Sequence, residues 1–233
     1  MLKEALTYIR RSDDTARTLL IGTLLVMLGF LVVPLFIVSG YIVGVVRAAR
    51  NDDEPPVWED WKQLTLDGVK MTLVLLAFLV IPLLLGLTAL VLAGITVDAQ
   101  TGQLALESVG ALAIALSVAA FVVGLVALYV SPIAVAHFAE SGRMGDAFDF
   151  GEFRQAATNG TYAIAWLLAF AVNVVGGVIA TGLGSLPWIG VFLGALAVFY
   201  LNVVTWYIYG QGVGLSEGLP QRPEPGELSG PAV

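Results

Sequence analysis

Residues 71–97 read MTLVLLAFLVIPLLLGLTALVLAGITV and carry no charged side chain. An α-helix rises about 1.5 Å per residue, so roughly 20 residues cross the hydrocarbon of a bilayer. A run this long and this uniformly apolar has no polar face to turn to water, which excludes a soluble amphipathic helix. In hydrocarbon its backbone N–H and C=O groups must be satisfied within the segment, so the run is helical. Four more stretches have the same character. The whole chain is 58% hydrophobic and 12% charged, against about 45–50% and about 25% in soluble domains. The expected fold is therefore all-α, a polytopic transmembrane helical bundle of about five spans.

The spans are placed at residues 18–46, 69–97, 108–139, 162–183 and 188–210. The first three exceed the length needed and must tilt, kink or protrude. Pro34, Pro82 and Pro132 are candidate kinks, because proline removes a backbone donor and crowds the preceding turn. The connector DAQTGQLALE is short and lacks Lys and Arg, and GLGSLPWIG is a tight turn. These features give one membrane domain, residues 1–212, and a tail, residues 213–233. The tail is rich in Pro, Gly and Glu, so it is expected to be disordered.

Composition narrows the chemistry. Cysteine is absent and His137 is the single histidine, which removes disulfides, thiolate nucleophiles and cysteine metal sites. No metal and no cofactor is expected. A cleaved leader is not expected either, because the first apolar run is far longer than a signal h-region. Acids outnumber bases 18 to 11, and the lysines are only Lys3, Lys62 and Lys70. Such hydrophilic parts suit a high-salt cytoplasm, where negative charge keeps a surface hydrated. They do not suit nucleic acid or anionic headgroups as partners.

A shift of 92 residues lays WEDWKQLTLDGVKMTLVLLAF over FGEFRQAATNGTYAIAWLLAF. Trp58 falls on Phe150, Trp61 on Phe153, Lys62 on Arg154, Gln63 on Gln155 and Gly68 on Gly160. The apolar ends match by composition alone. The polar part, aromatic-x-x-aromatic-basic-Gln followed by Asp/Asn-Gly, carries the information. The unit is span, interfacial helix, span: repeat 1 covers about 18–97 and repeat 2 about 108–183, with the span 188–210 outside. Because the second span of each unit returns the chain, the repeats are parallel. In the first copy Asp53 is the expected cap, Pro55 and Pro56 suit the first turn, and Gly68 the stop. Paired aromatics beside polar residues and next to a span fit a helix lying at the interface.

Lysine and arginine near span ends set orientation. With five spans, the side holding both repeated segments and the C-terminal tail carries seven, and the N-terminal tail carries four. The repeated segments and the C-terminal tail are therefore expected in the cytoplasm, in the plasma membrane of the cell. Folding residues 18–46 into a re-entrant hairpin, turning near Gly29 to Pro34, would put all eleven on one side. Its halves of about 14 residues are each too short to span, and the matching segment of the repeat would have to differ. Five single spans are the preferred reading.

The stretch LLIGTLLVMLGFLVVPLFIVSGYIVGVVRAARNDDEPPVWEDWKQLTLDGVK combines an apolar span with an internal proline, Gly-Tyr, Val-x-Arg, acids, Pro-Pro and Trp-x-Asp-Trp ahead of a glycine. It resembles the prokaryotic integral membrane family catalogued as domain of unknown function 4013, common in salt-loving archaea. The resemblance covers residues 1–212, with 40–68 the most specific part. It implies a multi-pass archaeal membrane protein and brings no catalytic or binding residues with it.

Small residues recur every fourth position at Gly40, Gly44 and Ala48, at Gly176, Ala180 and Gly184, and at Gly190 and Gly194. Such stripes let helix backbones approach in lipid; packing within the chain is the favoured reading, a self-association face the other. Asp52, Asp53, Glu54, Glu59 and Asp60, with Asp146, Asp149 and Glu152, offer oxygen ligands to a divalent cation. No loop has the glycine-pivoted spacing of a calcium site, so solvated surface is favoured. His137 reads as a polar helix end beside Glu140. No serine has the flanks of a nucleophile. The span centres hold no Asp, Glu, Lys or Arg, which weakens an ion-coupled carrier. Asn173 and Asn202 can bond helix to helix for roughly 1 kcal/mol each. The expected function is that of a non-enzymatic structural, accessory or oligomer-forming membrane component. Its partners would be the lipid bilayer and either further copies of itself or other membrane proteins. The alternative is a small permease or channel for an uncharged or small solute.

Overall fold

The computed structural model describes residues 1–12, 14–93, 95–97, 104–106 and 110–219. The helices are α1 (Leu2–Thr7), α2 (Thr15–Met27), α3 (Val33–Asn51), α4 (Trp61–Leu92), α5 (Ala111–Ser141), α6 (Phe150–Ala157), α7 (Gly160–Gly184) and α8 (Gly190–Ser216). Three short 3₁₀ turns lie at Tyr8–Arg11, Gly29–Leu31 and Met144–Phe148. β1 (Ile95–Val97) and β2 (Leu104–Leu106) pair antiparallel, Ile95 opposite Leu106 and Val97 opposite Leu104. This small hairpin stands in the connector between α4 and α5. Helices α3, α4, α5, α7 and α8 are long and apolar enough to cross a bilayer. The protein is a membrane-embedded all-α bundle. Two compact units emerge: unit 1 holds Met1–Thr72 with the chain from Pro132 onward, and unit 2 holds Leu73–Ser131.

The first apolar segment is not one span over residues 18–46. It is broken into α2 and α3, with Leu31 N–H bonding Leu28 O and Val32 N–H bonding Gly29 O across the break. Gly29 costs about 1 kcal/mol in a helix interior, and Pro34 cannot donate to the turn before it. The same proline suits the opening turn of α3, where a missing N–H costs nothing. Val32 takes φ +67° at the corner. Arg11, before α2, donates to Asp52, after α3, at 3.2 Å. The two helices therefore run back on each other, in the hairpin arrangement that the span count had set aside. Helix α2 has 13 residues, about 20 Å of rise, short of the ~30 Å hydrocarbon.

The first repeated segment is not a separate interfacial helix. Residues 53–60 are non-helical, and α4 starts at Trp61 with the Asp60 carboxylate accepting from Gln63 N–H at 2.9 Å. The helix continues through Gly68 to Leu92. Gly68 is a close-approach residue: a Cβ there would overlap the Phe36 carbonyl oxygen, and one on Gly40 would overlap the Leu64 carbonyl oxygen. Helices α3 and α4 thus cross backbone to backbone. In the second segment α6 is a free-standing short helix, and Asn159 opens α7 by accepting from Thr161 N–H at 2.9 Å. The burial of the matched aromatics is also reversed. Trp58 is 5% exposed and Trp61 44%, whereas Phe150 is 66% exposed and Phe153 3%. A helix that starts after the first aromatic, rather than before it, rotates the pair onto different faces.

Helix α8 is the centre of unit 1, flanked by α2, α3 and α7. Its glycines set the distances: Cβ atoms on Gly210 and Gly214 would lie 2.6 Å from the carbonyl oxygens of Val46 and Arg50. The helix extends past residue 210, where the last span was expected to end, to Ser216, with Val213 and Ser216 buried, so the first residues of the expected disordered tail are folded. The rest of that tail, from residue 220, lies outside the described residues.

Unit 2 pairs the apolar lengths of α4 and α5. A Cβ on Gly86 would meet Ala120 at 4.0 Å, and one on Gly124 would meet Pro82 at 3.7 Å. Val91, Leu112 and Phe121 stand exposed, as lipid-facing side chains do. The second span ends at Leu92, short of residue 97, and the third starts at Ala111. Most of the connector DAQTGQLALE lies outside the described residues. Pro82 and Pro132 sit inside the unbroken helices α4 and α5.

Candidate functional site

The last turn of a helix leaves four carbonyl groups without intrahelical donors. In unit 1, α3, α5 and α8 all end at the same place, and cationic side chains reach backbone carbonyls in the last two turns of α5. Arg47 Nε donates to Ala139 O, and Arg50 Nη1 donates to Ala136 O at 3.3 Å. Between them lies one carboxylate. Glu217, just beyond α8, accepts from Arg50 Nη2 through one oxygen and faces His137 Nε2 at 2.8 Å through the other. Phe153 of α6 closes the group edge-on to the imidazole, 5.3 Å away. Burial alone would raise the Glu217 carboxyl, but the His137 bond and the Arg50 charge outweigh it, and the net effect is a lowered pKa.

The same end carries further ties. Asn51 donates to Glu140 at 3.0 Å, so Glu140 partners α3. Asn159 Nδ2 donates to Ser216 O at 3.1 Å, joining α7 to α8. Lys70 donates to Gly142 O at 3.4 Å and stands 6.0 Å over the Phe138 ring. Asp67 accepts from Gln63 at 2.9 Å. Arg143 grips Asp146 with two bonds, 3.1 and 2.9 Å long. Deeper along α8, Asn173 Nδ2 donates to the Thr205 hydroxyl at 3.0 Å, tying α7 to α8, while Asn202 bonds back to Val198 O.

Two sets of aromatic rings pack along α8. Tyr41 stacks on Trp58 at 4.1 Å, Phe199 lies 5.8 Å from Tyr41, and Tyr8 packs on Tyr207 at 4.4 Å. The N-terminal segment is held against α8 by Gln211 Nε2 donating to Glu4 at 2.8 Å and by Tyr200 donating to Leu6 O at 2.6 Å.

The residues singled out in the sequence fall as follows. Trp58 and Phe153 are interior, while Trp61, Lys62, Phe150, Arg154, Gln155 and Gly160 are on the surface. Gln63 bonds Asp67, and Gly68 is buried in the α3–α4 crossing. Gly40 belongs to the same crossing, Gly44 faces Pro56, and Ala48 is buried. Gly176 faces Leu201 of α8, and a Cβ on Gly194 would lie 3.0 Å from Gly184 Cα. Gly190 abuts the Gly184 carbonyl, and Ala180 is buried. Of the candidate metal-binding acids, Asp52 pairs with Arg11, Asp60 and Asp149 cap helices, and Asp146 pairs with Arg143. Among the described residues no three His, Asp or Glu side chains form a metal-holding group.

Arg50, Glu217, Tyr8, Tyr207 and Gln211 were missed. Glu217 belongs to a Pro/Gly/Glu-rich stretch that reads as tail, and Arg50 was only counted as a charge. One signal was present: Tyr207 and Gln211 stand four apart on α8, in phase with Gly210 and Gly214, and so mark a polar-aromatic face.

No curated protein and no solved structure matches the chain. Residues 24–185 match the family model described as Protein of unknown function (DUF4013), which spans more than half of the chain, and the protein belongs to that family.

Proposed function

We propose that the protein is a non-enzymatic membrane component that acts by association, as a homo-oligomer or with other membrane proteins. One observation carries this reading: the polar groups that meet at the helix ends of unit 1 bond one another. Arg50, Glu217 and His137 satisfy a common network, Asn173 bonds Thr205, and Asn159 caps α7 while reaching α8. A reaction centre keeps such groups facing a substrate; here they fasten helix ends. The glycine crossings of α3 with α4 and with α8 bring backbone against backbone, which weighs against a solute path along them. What such a molecule offers to its surroundings is its apolar helix surface and its polar end.

The hairpin of α2 and α3 supports an orientation. It puts the N-terminal basic residues at the same end as those after α3, before α4 and around α6. That end would then face the cytoplasm of the cell under the positive-inside rule. The acid excess and the three lysines support a high-salt cytoplasm there, as in a salt-loving archaeon. The matched polar motifs support an ancestral duplication whose copies have diverged in helix boundaries.

The test is mild detergent extraction from native membranes, followed by pull-down, native mass spectrometry and sizing. The reading expects an oligomer or a stable complex. A strictly monomeric particle without a partner overturns it.

A further inference from the structure

Two carboxamides of unit 1 stand at the middle of membrane-spanning helices: Asn173 in the 25-residue α7 and Asn202 in the 27-residue α8. Each is about 16–21 Å of helix rise from either helix end. Both are exposed on the surface, whereas polar side chains inside spans ordinarily face away from lipid. The two belong to one patch. Asn173 Nδ2 donates to the Thr205 hydroxyl at 3.0 Å, and Thr205, three residues from Asn202 on α8, is its neighbour on the helix surface. A carboxamide has two N–H donors and an accepting oxygen. Asn173 uses both N–H groups, on Thr205 and on Ala169 O at 3.1 Å. Asn202 uses one, on Val198 O at 2.9 Å. One N–H of Asn202 and both side-chain oxygens have no partner among the described residues. The span hydroxyls of Thr88, Ser117 and Thr181 differ, because each bonds its one hydrogen to its own helix. In hydrocarbon no water replaces an unmade bond, so the patch is a place for a polar partner at the same depth.

A second copy of the chain supplies that partner. A carboxamide is its own complement, since it both donates and accepts. Copies share one orientation in the membrane, so their Asn202 side chains lie at equal depth, and a two-fold axis sets each patch against itself. A single asparagine between paired coiled-coil helices acts in this way and fixes register and strand number. The surface also admits a close approach. Gly177, one turn from Asn173 on the same face, has open space where a Cβ would stand, and Val198, one turn from Asn202, is exposed. We infer that the mid-membrane patch of Asn173, Thr205 and Asn202 is the seam of a symmetric dimer, in which Asn202 of each copy donates to a carboxamide oxygen of the other. This dimer is one form of the association proposed above and depends on it.

The chain has no cysteine, so Val198→Cys in the full chain, in native membranes with a membrane-permeant oxidant, reports the seam by disulfide cross-linking. Leu20→Cys, exposed on α2, is the control away from it. Val198→Cys should give covalent dimers and Leu20→Cys none. Asn202→Leu should weaken self-association about five- to thirtyfold, read by energy transfer between labelled chains diluted in lipid vesicles. Gly177→Leu should weaken it too, by filling the space of approach. Monomeric Asn202→Leu in excess detergent should melt no lower than the parent, because the only bond it loses within the chain is to its own helix. A lower melting temperature there would mean that Asn202 is bonded inside the chain and would overturn the seam, as would equal cross-linking of Leu20→Cys. An oligomer or complex that persists while Val198→Cys fails to cross-link, or while Asn202→Leu associates as tightly as the parent, overturns the seam and leaves association standing. A strictly monomeric particle without a partner overturns both.

Discussion

Replacing Glu217 with Gln keeps its shape and removes the charge that holds Arg50 and His137 together. The Arg50 and Glu217 side chains are 13% and 15% exposed, so the pair is neither fully dry nor screened as at a surface. Breaking a fully buried pair by losing one partner costs about 3–5 kcal/mol, and a hydrogen bond to a charged group contributes about 1.5–3 kcal/mol. Residual exposure and the Arg50 bond to Ala136 O reduce the expected loss to about 2–3 kcal/mol. For a chain of this size that is a drop of roughly 5–10 °C in melting temperature, read by tryptophan fluorescence in mild detergent. Glu140→Gln, at an exposed carboxylate, should cost less than about 0.5 kcal/mol. The pH dependence adds a sign. A carboxyl whose folded pKa is lowered binds fewer protons folded than unfolded. Its stabilisation is complete above the ordinary carboxylate range, near pH 4.5, and is lost as pH falls through the folded value. The parent should therefore lose stability below about pH 4.5, and Glu217→Gln should show a shallower acid limb. Equal melting of Glu217→Gln and the parent, or acid limbs of equal slope, would refute the reasoning about this network.

Trp58→Ala should destabilise by about 3–5 kcal/mol, the cost of emptying a stacked core site, and Trp61→Ala by under about 1 kcal/mol; fluorescence melts of the two variants decide the ranking. In the second segment the order of the aromatics reverses, Phe153→Ala costing about 3–5 kcal/mol and Phe150→Ala little, measured the same way. Gly68→Ala forces its Cβ into the Phe36 carbonyl and should cost about 1–3 kcal/mol or more, whereas Gly160→Ala, which meets nothing within 4 Å, should be nearly neutral. Asn173→Val should lower stability by about 0.6–1.7 kcal/mol through loss of the Thr205 bond, seen as a lower midpoint on denaturation in mixed micelles.

The long helices were legible because hydrophobic length is written residue by residue; α5 and α7 fall within three positions of where apolarity places them, whereas α4 starts eight residues early and α8 ends six residues late. What length could not show is where a continuous apolar run stops being one helix. Gly29 and Pro34 announced a break, but a tilted or kinked single span satisfied the same count. The Arg11–Asp52 pair that closes the hairpin is a contact between residues 41 apart in sequence. The shared motif misled for a related reason. It aligned Trp58 with Phe150 and Trp61 with Phe153, yet helix start points are set by caps. Asp60 opens α4 just before Trp61, whereas Asp149 opens α6 before Phe150. Gly68 read as a stop because glycine ends helices on the surface. Between closely crossed helices it serves instead as the absence of a side chain. The polar network was hidden because it assembles one residue each from α3, α5 and the end of α8, and single residues at helix ends leave no local pattern.

The account depends most on the first apolar segment being a hairpin that returns the chain to the end it left. The sequence contains no cysteine, so single substitutions report without background. Lys3→Cys, Asp53→Cys, Arg143→Cys and Trp188→Cys can be probed in sealed, oriented vesicles with a membrane-impermeant thiol reagent. Lys3→Cys, Asp53→Cys and Arg143→Cys should label from one and the same side and Trp188→Cys from the other. Labelling of Lys3→Cys from the side opposite Asp53→Cys would show that the segment crosses once, and would contradict it.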